Sequence, residues 1–200
     1  MIVDLDDFHE GNTGDMRLSQ LRQINPAFRC TLFAVPALGS PEFWWRWADC
    51  GWVELVPHGW AHPDAHECQG WTYDEMVAYI ERIEDDFPQF QRGFKAPGWQ
   101  INDDIYRALQ DRGWWVADQH LEDHRRPPEL PVYFYEDGED RWHGHIQNVC
   151  GNGLEERWDE LVERVRAATD FRYCSEALSV GPHADDPGTS TVPPGMQSQR

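Results

Sequence analysis

Apolar residues along this chain fall into two kinds of segment. Short, dense runs predict β-strands over residues 2–5, 31–35, 53–56, 93–96, 114–117, 132–135 and 141–146. Longer segments with apolar residues recurring every three or four positions predict helices over 41–49, 72–86, 102–112 and 154–169. In the last of these, Leu154, Trp158, Leu161, Val162 and Val165 form one stripe with charges opposite, the pattern of a helix laid on a sheet. Thr72 and Glu75 have the spacing of a capping box, and Gly93 and Gly113 each stand between a helix and the next strand. Strands alternating with helices predict an α/β fold with a parallel sheet and the helices outside it. Seven candidate strands favour closure of that sheet into a barrel.

A chain of 200 residues suits a single domain, here residues 1–180. From Gly181 the pattern loses periodicity and fills with Pro and Gly, which predicts a flexible tail over 181–200. Thirty-six acidic residues against seventeen basic ones give a net charge of −19. That charge repels phosphate backbones and anionic lipid surfaces, so neither nucleic acid nor membrane is expected as a partner. No apolar run approaches the roughly 20 residues of a membrane span, and no basic segment followed by an apolar core opens the chain, so a cytoplasmic location is expected. Five cysteines without a Cys-x-x-Cys pair suit reduced thiols. No feature of the pattern sets an oligomeric state.

The candidate chemistry gathers at the ends of the predicted strands, where sites collect in such folds. Asp4, Asp6 and Asp7 crowd a mostly apolar strand, a costly arrangement unless a cation compensates them. Strand alternation puts Asp4 and Asp6 on one face and Asp7 on the other, although that geometry relaxes at a strand end. His58 and His62 are four apart, so one helical turn after the third strand would aim both imidazoles at one point. Gly59 stands where a zincin protease carries its glutamate, which removes that reading. His66 extends the series beyond Pro63 and stays an alternative ligand. Cys68 lies close by, and a lone thiol there is more often neither ligand nor nucleophile. His143-Gly144-His145 ends the last strand. Of the eleven tryptophans, Trp60, Trp71, Trp99 and Trp142 adjoin these motifs and suit either sugar platforms or core.

The order of these pieces resembles the polysaccharide deacetylase superfamily over roughly Ile2 to Leu178. The shared features are Asp-Asp at the first strand end, His-x-x-x-His after a later strand, a basic-x-Pro segment and a late histidine. The resemblance implies a distorted seven-stranded (β/α) barrel and a divalent metal held by Asp7, His58 and His62; the two neutral imidazoles suit zinc or a similar transition ion, with Zn2+ the first expectation. It implies Asp6 as general base, Lys95 in the place of an arginine that orients the base, and His143 or His145 as general acid, with His145 preferred because it lies nearer the expected strand end. Asp118 falls near the family's late aspartate. Lys95 departs from the family, because an ammonium lacks the planar fork of a guanidinium. Phe8 replaces the usual glycine after the aspartate pair, which leaves His9 within reach of the metal. The implied activity is hydrolysis of the N-acetyl amide of an acetylated carbohydrate. Alternatives are a catalytically silent carbohydrate-binding barrel and a hydrolase of non-sugar amides.

Overall fold

The elements run in chain order as β1 (Ile2–Phe8), α1 (Asp15–Ile24), β2 (Cys30–Ala34), α2 (Pro41–Ala48), β3 (Val53–Pro57), α3 (Tyr73–Asp86), β4 (Gly93–Lys95), α4 (Asp103–Asp111), β5 (Trp115–Asp118), β6 (Val132–Phe134), β7 (Arg141–His145) and α5 (Trp158–Ala167). The structure, a computed structural model, describes residues 1–121 and 124–179; the tail expected over 181–200 lies outside the described residues. The strands form two parallel sheets, ordered β3-β2-β1-β7 and β4-β5-β6. One parallel bridge, His58 with Lys95, joins the end of β3 to the end of β4. No ladder joins β6 to β7 among the described residues.

Side-chain alternation sorts the strands into two layers. Val3, Leu5, Leu32, Leu55, Val116 and Val132 point outward into the main core beneath the helices. Their neighbours Ile2, Phe33, Val56, Ala117 and Tyr133 form a smaller cluster on the opposite face. Contacts reach across from one sheet to the other on that inner face, for example Phe33 to Trp115 with ring centroids 6.5 Å apart. Burial on both faces explains why the strands read as continuous apolar runs. It also makes Asp4, Asp6, Thr31, Glu54, His58 and Lys95 conspicuous, because all six are buried polar residues.

Local signals place the helices. The Thr72 hydroxyl accepts from the Glu75 N–H while the Glu75 carboxylate accepts from the Thr72 N–H, completing the capping box. Asn102 caps α4 by accepting from the Ile105 N–H at 3.0 Å. Two expectations change. Helix α1 is absent from the sequence reading because it buries only Leu18 and Leu21, too thin a stripe to register. Helix α5 begins at Trp158 and not at 154, because Leu154 donates its N–H to the His145 carbonyl at 2.8 Å and Gly153 bridges to His145. Among the described residues no helix is long and apolar enough to cross a membrane. All five cysteines are free.

Candidate functional site

Asp6 and Asp7 both approach His58 Nε2, at 3.9 and 3.6 Å, because β1 bulges. The pairing runs Asp4 with Thr31 and Leu5 with Leu32, then skips a residue to Phe8 with Ala34. Asp7 occupies the inserted position at φ 64°, and Asn12 fixes it by donating to the Asp7 carbonyl at 2.9 Å. This left-handed residue turns its carboxylate to the side of Asp6, which is how the alternation relaxes.

His58 extends β3, its N–H donating to the Ala34 carbonyl at 2.7 Å. The helical turn expected between His58 and His62 does not form. Gly59 and His62 adopt φ 62° and 47°, and the loop is organised by Glu67, which accepts from the N–H groups of Trp60, Ala61 and His62 at 2.9–3.1 Å. A Cβ on Gly59 would lie 2.2 Å from Glu67 Oε2, so the loop needs glycine there. The two imidazoles still meet, with ring centroids 4.9 Å apart.

Asp7 Oδ1 lies 3.2 Å from His62 Nε2 and 3.6 Å from His58 Nε2. These three residues form a group able to hold a metal ion. The donor chemistry fits one. His58 Nδ1 lies 3.1 Å from the Lys95 carbonyl, so Nδ1 carries the proton and Nε2 turns a lone pair toward the Asp7 carboxylate. Burial drives the His58 pKa down to about 3, so no proton on Nε2 relieves that opposition near neutral pH. Burial, and then the Asp6 charge, push the Asp7 carboxyl above its ordinary range. A divalent cation would satisfy all three donors.

Asp6 is bound differently. Its Oδ1 accepts from Lys95 Nζ at 2.6 Å, with both side chains at most 5 % exposed. Burial alone would raise the Asp6 pKa, but Lys95, followed by His58, His143 and His145, outweighs it and holds the carboxyl well below the usual range. The other oxygen, Oδ2, lies 3.7 Å from His145 Nε2 and 4.0 Å from His143 Nε2. His143 Nδ1 is bound by Asp4 at 2.6 Å, and Asp4 also accepts from the Tyr133 hydroxyl at 3.0 Å. His145 Nδ1 is buried without a hydrogen-bond partner, and burial lowers the His145 pKa. The structure thus brings Asp6, Asp7, His58, His62, Lys95, His143 and His145 together.

Other candidates stand apart. His66 is exposed, and neither it nor His9, whose Nδ1 accepts from the Gly11 N–H, belongs to a metal-holding group. Asp118 is buried in a separate cluster, accepting from Tyr106, His124 and Arg126 at 2.6–2.8 Å. Burial pushes the Cys68 thiol far up, which makes it inert. Trp142 is buried, and Trp60 and Trp71 pack on Tyr79. Trp99 adjoins the site: it stacks on Tyr135 with centroids 5.0 Å apart and lies 4.1 Å from Lys95 Nζ. Sequence reasoning missed Glu67 altogether and gave Asp4 no partner.

No family model matches the chain, and no curated protein matches it. Solved structures do. One is a peptidoglycan N-acetylglucosamine deacetylase, at a TM-score of 0.59 and 13% identity, covering 90% of both chains. A second is the chitin deacetylase of the fungal pathogen Colletotrichum lindemuthianum, at 0.57 and 14%, covering 92% of this chain and 89% of that one. A third is a family 4 carbohydrate esterase pseudoenzyme from Bacillus anthracis, at 0.57 and 15%, covering 88% of this chain and 64% of that one. The chain has the polysaccharide deacetylase-like fold.

Proposed function

We propose that the protein is a metal-dependent deacetylase that hydrolyses the N-acetyl amide of an acetylated sugar or oligosaccharide. The observation that carries this reading is the division of labour between adjacent buried carboxylates: Asp7 faces His58 and His62, and Asp6 is paired to Lys95 and faces His143 and His145, with His58 shared between them at 3.9 Å from Asp6. The fold shared with sugar deacetylases supports it. We also read the two sheets as arcs of one distorted seven-stranded barrel, its seam between β6 and β7.

Asp7, His58 and His62 would hold a divalent ion, with zinc the best match to two imidazoles and a carboxylate. Such an ion supplies a Lewis acid for the amide carbonyl and activates water near neutral pH. Asp6 stays ionised against Lys95 and accepts the proton of the attacking water on Oδ2, the oxygen Lys95 leaves free. His143 donates a proton from Nε2 to the departing amine. Asp4 stabilises the charged imidazole through Nδ1 and fixes the ring, and that bond favours His143 over His145 as the acid. The products are acetate and a free amino sugar.

Acetate release from acetylated chitooligosaccharides, with and without added zinc, tests this reading. Zinc-dependent release is expected, and Asp6→Asn should keep the ion while losing about 10²-fold or more in turnover. No release from the zinc-loaded protein contradicts it. One observation favours a second reading, a silent carbohydrate-binding protein: Lys95 gives Asp6 a point charge in place of a planar fork. Oligosaccharide binding without acetate release would support that reading. Acetate release confined to non-sugar amides would support a hydrolase of non-sugar amides instead.

A further inference from the structure

The group of Asp7, His58 and His62 has a neighbour built from the same donor types. Asp6, His143 and His145 each offer one ligand atom, and these atoms lie within 4.8 Å of one another. Asp6 Oδ2, the oxygen that Lys95 leaves free, lies 3.7 Å from His145 Nε2 and 4.0 Å from His143 Nε2. Among the described residues that oxygen accepts no hydrogen bond, although its side chain is only 5 % exposed. The other nitrogen of His143, Nδ1, lies 2.6 Å from Asp4 Oδ1. That contact keeps a proton on Nδ1 and lets Nε2 present a lone pair to the cluster, the arrangement by which a carboxylate orients a metal-bound histidine. His145 is 19 % exposed, so the cluster is open to solvent on its side.

A buried carboxylate oxygen that faces imidazole nitrogens with no donor between them is also the situation of Asp7, and a divalent cation resolves both in the same way. The two groups differ in charge and support. Asp7 has no lysine or arginine partner among the described residues, whereas Asp6 shares its charge with Lys95 at 2.6 Å. His58 Nδ1 has the Lys95 carbonyl behind it, whereas His145 Nδ1 is buried without a partner. Both differences make the second group the weaker. The groups also adjoin, since His58 Nε2 lies 3.9 Å from Asp6 Oδ2. Two-metal enzyme sites hold cations about 3.5–4 Å apart, so proximity does not exclude a second ion.

We propose that Asp6, His143 and His145 form a second, weaker site for a divalent cation such as zinc, and that filling it silences the enzyme. One carboxylate and two imidazoles suit that class of ion. On Asp6 Oδ2 the ion takes the oxygen that accepts the proton of the attacking water, and on His143 Nε2 it takes the nitrogen that serves the departing amine. One bound ion supports turnover, and a second stops it. The silencing rests on the deacetylase reading, whereas the ion site does not. Because His145 lacks a group behind it, affinity should lie about 10–100-fold below that of the first site, and protein freed of unbound zinc keeps one ion. A net charge of −19 also draws cations to the surface at large, so the second ion has to be tied to these three residues.

Equilibrium dialysis of the zinc-free full chain against graded zinc, with bound metal read by elemental analysis, tests the proposal. Two binding steps are expected. Asp6→Asn, His143→Ala and His145→Ala should each lose the second step and keep the first, and the kept step shows that the variant folds; one that loses both is judged by the other two. His62→Ala should lose the first step and keep the second. In the native chain, acetate release should rise with the first step and fall with the second. A single step, a second step that persists unweakened in the three variants, or release that the second step leaves unchanged overturns the proposal. Release at one equivalent with no second step removes this site and leaves the deacetylase reading intact. Two steps that respond to the variants, without acetate release on any amide, would sink the deacetylase reading and leave the ion site standing.

Discussion

Replacing Lys95 by Met removes the one side-chain cation bound to Asp6 and leaves a carboxylate that is 5 % exposed. At a separation of 2.6 Å and an effective dielectric constant of about 20, the lost attraction is about 6 kcal/mol. The pair also carries desolvation, and breaking a buried ion pair by removing one partner typically costs about 3–5 kcal/mol. The pH dependence follows from the direction of the Asp6 shift. In the native chain its pKa is held below the ordinary 3.8, so its contribution to stability is fully present above that value and is lost only as pH falls through the lower folded value. Without Lys95, burial raises the Asp6 pKa, and protonation then relieves the variant as pH falls. The stability gap should therefore be widest near pH 7 and narrow toward pH about 5. Urea unfolding of the zinc-free proteins at both pH values, followed by tryptophan fluorescence, measures it. A gap below about 1 kcal/mol, the size of an exposed pair, or a gap independent of pH would refute the reasoning.

Three further outcomes follow from the same geometry. Glu67→Gln leaves one acceptor oxygen and sets an NH2 group against at least one of three loop N–H donors, so zinc affinity should fall about 10–100-fold, and the thermal midpoint of the zinc-free protein should fall with it. His143→Ala should lower kcat for N-acetyl substrates more than His145→Ala, measured as acetate release; the reverse order returns the acid role to His145. Asp4→Asn should lower kcat with little change in KM, because it withdraws charge from behind the acid and touches no substrate.

Much of this was legible in the sequence, and the reasons are specific. Strands buried on both faces read as apolar runs, so each is found within a few residues, and β1 was shortened only because its acidic end looks polar. Asp6, Asp7, His58 and His62 were findable because carboxylates and imidazoles at strand ends are costly without a purpose, whereas Lys95 was found only through the resemblance in motif order. What escaped is geometry made by backbone strain and distant partners. The αL residue at Asp7 belongs to a bulge set by pairing with β2, which no local pattern encodes. Glu67 acts through backbone N–H groups, which carry no residue signature. Tyr133 and Asp4 meet across 129 positions, and only the fold supplies that contact. Helix α1 escaped for the opposite reason, since its two buried leucines left nearly the whole segment polar.

The most direct measurement is the metal content of purified, zinc-saturated protein by elemental analysis, native against Asp7→Ala, His58→Ala and His62→Ala. One zinc per native chain and little or none in each variant is the predicted result. Full occupancy in the variants, or no retained zinc in the native chain, would contradict the account.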